Sequence, residues 1–252
     1  MENHDVHSQS ARPNGSAFRV ATDAPTSSVD APLRGRARKR LPVLPPSRSI
    51  GHHILKRSVD VVGSVCIAIL LSPLILTLLI AVRAGGGPIF FGHTRVGREK
   101  KPFKCYKFRS MIPDAERVLQ DLLHSDPEAL QEWRQNHKLK DDPRVTRFGS
   151  FLRKSSLDEL PQLWNVFKGD MSLVGPRPIV ADELERYGAK AHMYLAVKPG
   201  MTGLWQVMGR SSVTYSRRVS MDSLYARKKS LRLDVWILFK TFGAVVRKVG
   251  AH

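Results

Sequence analysis

The chain has 252 residues, enough for one hydrophobic core of ordinary domain size. Its 41 Lys and Arg against 22 Asp and Glu leave a formal net charge of +19, which narrows the partner to nucleic acid, an anionic membrane surface or a polyphosphate. The two cysteines, Cys66 in an apolar run and Cys105 among lysines, exclude a disulfide framework and a cysteine metal cluster, and they fit a reducing compartment.

Residues 1–50 lack hydrophobic periodicity and are rich in Ser, Pro, Ala and Arg, a composition that predicts a disordered tail. The basic run Arg34–Arg40 reads either as a solvated stretch or as a lipid-attracted one, at about 1 kcal/mol per basic residue near an anionic surface. Val61–Val82 then runs for 22 residues without a charge, enough to cross a bilayer core as a helix. Its length and its distance from the N-terminus exclude a signal peptide; a buried core helix is the alternative. Ser72-Pro73 lies in the middle of the run, and proline removes a backbone donor and kinks a helix. Residues 34–57 carry eight Lys/Arg and no acid, and residues 83–109 carry eight Lys/Arg and one acid, Glu99. Basic flanks favour the cytoplasmic face, so both ends ask for the same side. A hairpin-like helix satisfies both flanks and a straight span only one. Residues 51–85 are therefore expected to form a re-entrant membrane helix broken at Ser72 and Pro73.

Residues 86–252 read as one compact domain. Gly85-Gly86-Gly87-Pro88 ends the apolar helix. Ile89–Phe91 and Phe103–Phe108 are strand candidates around a turn at Gly97. Residues 113–138 show helical spacing, with Ala115, Val118, Leu119, Leu122 and Leu123 on one face and a break at Pro127. A short helix is expected over 158–168. The last stretch, Leu231–Val249, carries apolar residues at spacings of three and four with Lys240, Arg247 and Lys248 between them. It suits a helix in a membrane interface or, equally, a core helix.

The chemistry-bearing blocks follow the same order. Lys104–Met111 mixes basic and aromatic residues, as a strand with a cationic face or a solvated edge. In Arg153–Gln162 the carboxylates Asp158 and Glu159 are adjacent. Ser156 and Glu159 fit a capping box, which would make both acids helix-start residues. Pro161 opposes that reading, because proline prefers the first helical position; the helix start moves toward Leu160 and leaves the pair outside it, free to hold Mg²⁺ or attack phosphorus. Ser172–Pro178 sets Arg177 between two prolines, either as a rigid surface turn or as a fixed guanidinium for phosphate. Lys198–Arg210 is dense in Gly and Pro and reads as a loop, packed or offering Trp205 and Gln206 to a base or sugar.

These blocks in this order resemble the bacterial sugar transferases, the monotopic polyprenyl-phosphate phosphoglycosyl transferases. The resemblance is carried by Lys56-Arg-Ser-Val-Asp60, Ser72-Pro73, Lys107-Phe-Arg-Ser-Met111 and Arg147-Phe-Gly149. It continues through Arg153–Gln162, Gly169–Pro178, Lys198–Gly203, Met221-Asp222 with Tyr225, and Leu233-Asp234, covering about residues 54–248. The chain is similar to members that start exopolysaccharide assembly with galactose or glucose phosphate. Lys228-Lys229 departs from what many relatives show and Trp205 from what some show, which bears on sugar choice and local packing.

The resemblance implies an α+β, mostly helical fold with short strands and interfacial amphipathic helices. It implies transfer of hexose-1-phosphate from a UDP-sugar to undecaprenyl phosphate, with Asp158 as covalent nucleophile and Glu159 as its metal or proton partner. Mg²⁺ would sit at Asp158 and Glu159. Substrate contacts are expected from Lys107, Arg109, Arg153, Gly175, Pro176, Arg177, Pro178, Gln206, Arg210, Asp222 and Tyr225. The expected setting is the bacterial inner membrane with the catalytic domain in the cytoplasm, membrane lipids as neighbours and no nucleic acid. Self-association is left open. The competing reading is a non-enzymatic, basic, membrane-anchored adaptor or regulator, which explains the charge and the anchor but not the acid pair beside arginines.

Overall fold

A computed structural model describes residues 50–136, 139–209 and 213–246. The N-terminal tail and Arg210 lie outside the described residues. The fold is mostly helical, with two small two-stranded sheets.

Helix α1 (Ile50–Leu70) is followed after Leu71 by α2 (Ser72–Ala84). Among the described residues no single helix is long and apolar enough to cross a membrane, but this pair passes the test together and bends by 69°. The bend follows from Pro73 near the start of α2, which leaves the carbonyl one turn earlier without its donor. The flanking bonds from Leu71 N to Ile67 O (2.9 Å) and from Ile75 N to Leu71 O (2.8 Å) survive.

The N-terminal half of α1 is fastened to the domain. Lys56 Nζ lies 2.9 Å from Asp60 Oδ1 and 3.0 Å from Asp234 Oδ2. Asp60 Oδ1 also accepts from Ser172 Oγ and Leu173 N, both at 3.0 Å. Arg57 donates at 2.6 Å to the carbonyls of Val166 and Phe167 in the last turn of a helix. The other face of the pair is apolar and uncovered, with Ile69 68% and Leu70 78% exposed.

Strands β1 (Phe90–Val96) and β2 (Pro102–Phe108) form an antiparallel hairpin that pairs Phe91 with Lys107 and Arg95 with Phe103. Period two then places Arg95 and Lys107 on one face, and Tyr106 and Phe108 on the other. Helices α3 (Ala115–Ser125) and α4 (Pro127–Asn136) flank the expected break at Pro127. Helix α5 (Arg147–Ser155) starts on Thr146, whose Oγ1 accepts from Gly149 N at 2.8 Å. Helix α6 (Gln162–Lys168) starts behind Pro161. Leu78 and Val82 of α2 pack with Phe108 and Leu152, so the bent pair is part of the core.

Two short strands were not legible. β3 (Ser172–Val174) pairs in parallel with β4 (Gly200–Thr202), inside the stretch expected to be a loop. The glycines there serve close backbone approach instead: a Cβ on Gly175 would lie 2.8 Å from Gly200 N and 3.1 Å from the Pro199 carbonyl carbon. Short helices α7 (Ala181–Glu185), α8 (Ala191–Leu195) and α9 (Leu204–Met208) follow around this sheet, then α10 (Tyr215–Lys228) and α11 (Leu231–Val246). Helix α11 buries Asp234 and Ile237 in the core and leaves Val235, Phe239 and Phe242 exposed.

Candidate active site

The site begins with a chain reversal. Helix α5 ends at Ser156, which adopts the left-handed conformation (φ 59°). A non-glycine residue there costs on the order of 1 kcal/mol. The reversal leads into a 3-10 turn, Leu157–Glu159, that carries both acids, and Pro161 then opens α6. Ser156 makes no side-chain cap, so the capping box is absent and the pair stands outside both flanking helices. Asn165, fully buried in α6, fixes this segment to the edge of β2. Its Oδ1 accepts from Tyr106 N at 3.0 Å and its Nδ2 donates to Lys104 O at 2.7 Å.

That registration brings Lys107 to the acids. Its Nζ lies 2.9 Å from Asp158 Oδ2 and 2.8 Å from Glu159 Oε1. Asp158 is buried and Glu159 half-buried. Burial raises the Asp158 carboxyl above its ordinary range; Lys107 and Arg153 oppose this only in part. Burial also acts upward on Glu159, but there Lys107, Arg177 and Arg95 outweigh it and hold the carboxyl low. Burial acts downward on Lys107, yet the two carboxylates prevail and its ammonium is stabilised. The adjacent acids are thus unequal. Glu159 is the fixed negative charge, and Asp158 holds its proton longer and is the more basic oxygen once ionised.

Three arginines act electrostatically on the pair, Arg153 on Asp158 and Arg177 and Arg95 on Glu159. Arg153 donates from Nε to Ser110 Oγ at 2.8 Å, in the last turn of α5. Arg177 is half-buried between the buried Pro176 and Pro178, and an isolated bridge between Val96 and Ile179 ties its segment to the end of β1. Arg95 was not anticipated. Burial, then repulsion from Arg177, lowers its guanidinium pKa, and Glu183 stands 3.7 Å away as its partial partner. Two arginines held beside one another next to an acid pair form a site for a polyanion. The β1–β2 register, with Arg95 on the face of Lys107, was the signal that could have found it.

Other expected contacts fall elsewhere. Arg109 turns away and bonds the carbonyls of Val82, Gly85 and Gly86, so it serves the C-terminal end of α2. Tyr225 is in the core, its hydroxyl 2.9 Å from Val174 O and 2.8 Å from Asp234 Oδ1, and it joins α10 to β3 and α11. Gly175 is a backbone-contact residue. Gln206 donates to Met201 O at 3.3 Å. Its Oε1, the Trp205 indole N–H, Arg218 Nε and Nη2, and Asp222 Oδ1 are buried without a hydrogen-bond partner among the described residues. Arg218 lies over the Trp205 ring at 5.1 Å and pairs with Glu183 at 3.7 Å. This cluster is a second polar centre, linked to the first through Glu183.

Asp222 is fully buried, with Tyr187 donating to Oδ2 at 2.7 Å. Burial, opposed only in part by Tyr187 and Arg218, pushes its carboxyl up to about 6. The folded-state pKa lies above the unfolded one, so this group's contribution to stability is complete below about pH 4 and is lost as pH rises through 6. Relative to Asp222→Asn, the wild type is expected to lose about 3 kcal/mol between pH 4 and 7. The check is the slope of Tm against pH in the two proteins.

The fit of a divalent ion follows from donor chemistry. Asp158 and Glu159 offer hard carboxylate oxygens, and among the described residues no group of three acidic, His or Cys side chains is gathered to hold a metal. Mg²⁺ typically takes one or two carboxylates and fills its remaining positions with water and phosphate oxygens, so the pair suits Mg²⁺ carried with a phosphate.

Comparison with known proteins gives the family. Residues 51–248 match the family described as bacterial sugar transferase. The chain is 57% identical over 198 residues to the undecaprenyl-phosphate galactose phosphotransferase of Salmonella typhimurium, covering 79% of this chain and 42% of that protein. It is 51% identical over 200 residues to the exopolysaccharide production protein ExoY of Sinorhizobium fredii, covering 79% and 88%. It is 39% identical over 197 residues to the UDP-glucose:undecaprenyl-phosphate glucose-1-phosphate transferase of Klebsiella pneumoniae, covering 75% and 39%. The chain therefore spans less than half of the first and third relatives and most of the second.

Proposed function

We propose that this chain, which belongs to the bacterial sugar transferase family, moves hexose-1-phosphate from a UDP-sugar to undecaprenyl phosphate, the first membrane step of exopolysaccharide assembly. The observation that carries the reading is the Lys107-clamped pair of unequal acids on which three arginines act. The names of the matched relatives favour galactose or glucose as the hexose.

The reaction divides in two. An Asp158 oxygen attacks the phosphorus that bears the sugar; an Asp–phosphorus bond forms, the diphosphate bridge breaks, and UMP leaves with the bridging electron pair. An oxygen of the lipid phosphate then attacks the same phosphorus, and the Asp158 carboxylate is released. One difficult transfer between anions becomes two easier ones. Lys107 orients the attacking carboxylate and offsets the charge of Glu159. Arg153, Arg177 and Arg95 neutralise the diphosphate as charge moves to the leaving group. Mg²⁺ held by Asp158 and Glu159 would supply further charge neutralisation on the phosphates. The unpartnered polar atoms of Trp205, Gln206, Arg218 and Asp222 suit the uridine or sugar hydroxyls.

With undecaprenyl phosphate present, UDP-galactose or UDP-glucose is expected to release UMP at least about 10-fold faster than the N-acetyl forms. Equal rates with all four donors would remove the hexose assignment, and no release with any would favour the adaptor reading.

The α1–α2 bend, its exposed apolar face and the basic flanks support a re-entrant helix in the bacterial inner membrane with the domain in the cytoplasm. Single cysteines before Lys56 and after Ala84 are expected to react with a membrane-impermeant maleimide only after permeabilisation. Labelling of the first set in intact cells would favour a full span.

A further inference from the structure

Beneath the acid pair lies an apolar cavity of about 740 Å³, between α1, α2, β1, β2 and α6. Val65, Ile69, Phe90, Tyr106, Leu160 and Trp164 line it. Its wall is made by the two segments that build the active site. Along β2, Lys107 points to the acids, and its neighbours Tyr106 and Phe108 point into the cavity. In the turn, Asp158 and Glu159 meet Lys107, and the next residues, Leu160 and Pro161, line the cavity. One strand and one turn thus separate an anion site from an apolar hole.

The cavity has little use for a polar ligand. Ser64, Ser72 and Tyr106 bring the hydroxyls of an otherwise apolar lining, and that of Ser64 already donates to Val61 O at 2.9 Å. The lining continues outward into the uncovered apolar faces of α1, β1 and α6, where Ile69, Phe90 and Trp164 are exposed. Two stacked ring pairs stiffen the rim: Phe90–Phe108 at 5.6 Å and Trp164–Phe167 at 5.5 Å.

We infer that this cavity takes the phosphate-proximal isoprene units of the polyprenyl phosphate acceptor and so sets its phosphate against Asp158. The inference rests on the proposed transfer and adds the place of the lipid tail. An occupant must be apolar along its length and anionic at the end that meets Lys107 and Arg153, and a prenyl phosphate has that form. The volume falls within the ~300–1,000 Å³ of ordinary ligand pockets, so the remainder of a long chain stays in the surrounding apolar phase.

The test uses the full chain in detergent and separates the two half-reactions. With UDP-galactose or UDP-glucose alone, Val65→Phe is expected to give the same stoichiometric UMP burst as wild type. With undecaprenyl phosphate titrated in, its acceptor KM is expected to rise about 10-fold, with the donor KM unchanged. An unmoved acceptor KM, or an equal rise in both, would overturn the inference. A missing burst in wild type would instead count against the proposed transfer. In that event cross-linking still decides the cavity. A prenyl phosphate with a diazirine in its first isoprene unit is expected to label Val65, Ile69 or Trp164, and undecaprenyl phosphate to compete. Labelling elsewhere, or equal competition by phosphatidylethanolamine, would assign the cavity to a bulk lipid and end the proposal.

Discussion

Asp158→Asn is expected to abolish UMP release from a UDP-hexose, by about three orders of magnitude or more, without loss of the fold. An amide cannot form the acyl–phosphate bond, so the loss belongs to the chemical step and not to donor binding. The fold should survive because burial disfavours the charge at this position and asparagine keeps the shape while removing the charge. Lys107 retains Glu159 as its partner at 2.8 Å. Unchanged Tm and donor Kd beside lost turnover would place Asp158 at the reacting phosphorus. Glu159→Gln should behave differently, slowing turnover but still accumulating a covalent phosphosugar, because the attacking oxygen is intact.

The second large effect is expected at Lys107. Lys107→Met removes the one cation that, among the described residues, lies within bonding distance of both acids, and turnover should fall about 100-fold or more. The pH profile carries the sign. Lys107 lowers both carboxyl pKa values against burial, so without it both rise. More base is then needed to ionise Asp158, and the acidic limb of the rate profile moves to higher pH. A variant that is slow at every pH, with an unmoved acidic limb, would limit Lys107 to a structural part.

Much of the scaffold was legible because it rests on local physics. Pro127 separates α3 from α4, Pro161 sets the start of α6, and Gly85 ends α2, each through backbone chemistry that a single residue dictates. The hairpin was legible in part: Phe103–Phe108 marked β2, but Ile89–Phe91 marked only the start of β1, which runs on to Val96. What escaped depends on tertiary approach. β3 and β4 have three residues each, too few for a period to register, and the glycines around them signal close packing as readily as a loop. Helix α5 is short and largely polar, and its recognisable cap, Thr146, was hidden among other turn residues.

At the site, the acid pair and its separation from the capping role could be read from Pro161. Lys107 and Arg153 were found in the basic blocks, but Arg95 needed the strand register. Arg109 and Tyr225 belong to motifs that surround the site, and both bond within the fold, Arg109 through Nη2 at the end of α2 and Tyr225 through its hydroxyl between α10 and α11. Sequence proximity to a catalytic motif does not say which way a side chain turns. The Lys56–Asp60–Asp234 linkage is similar, since only the fold shows that it fastens α1 to α11.

Intact-mass and peptide mass spectrometry of the full chain, incubated with a UDP-hexose and Mg²⁺ but no lipid acceptor, tests the central claim most directly. One hexose phosphate per chain is expected, located on Asp158, with an equal amount of UMP, and discharge of the adduct when undecaprenyl phosphate is added. UMP formed only when the acceptor is present and never with an adduct, or an adduct on another residue, would contradict it.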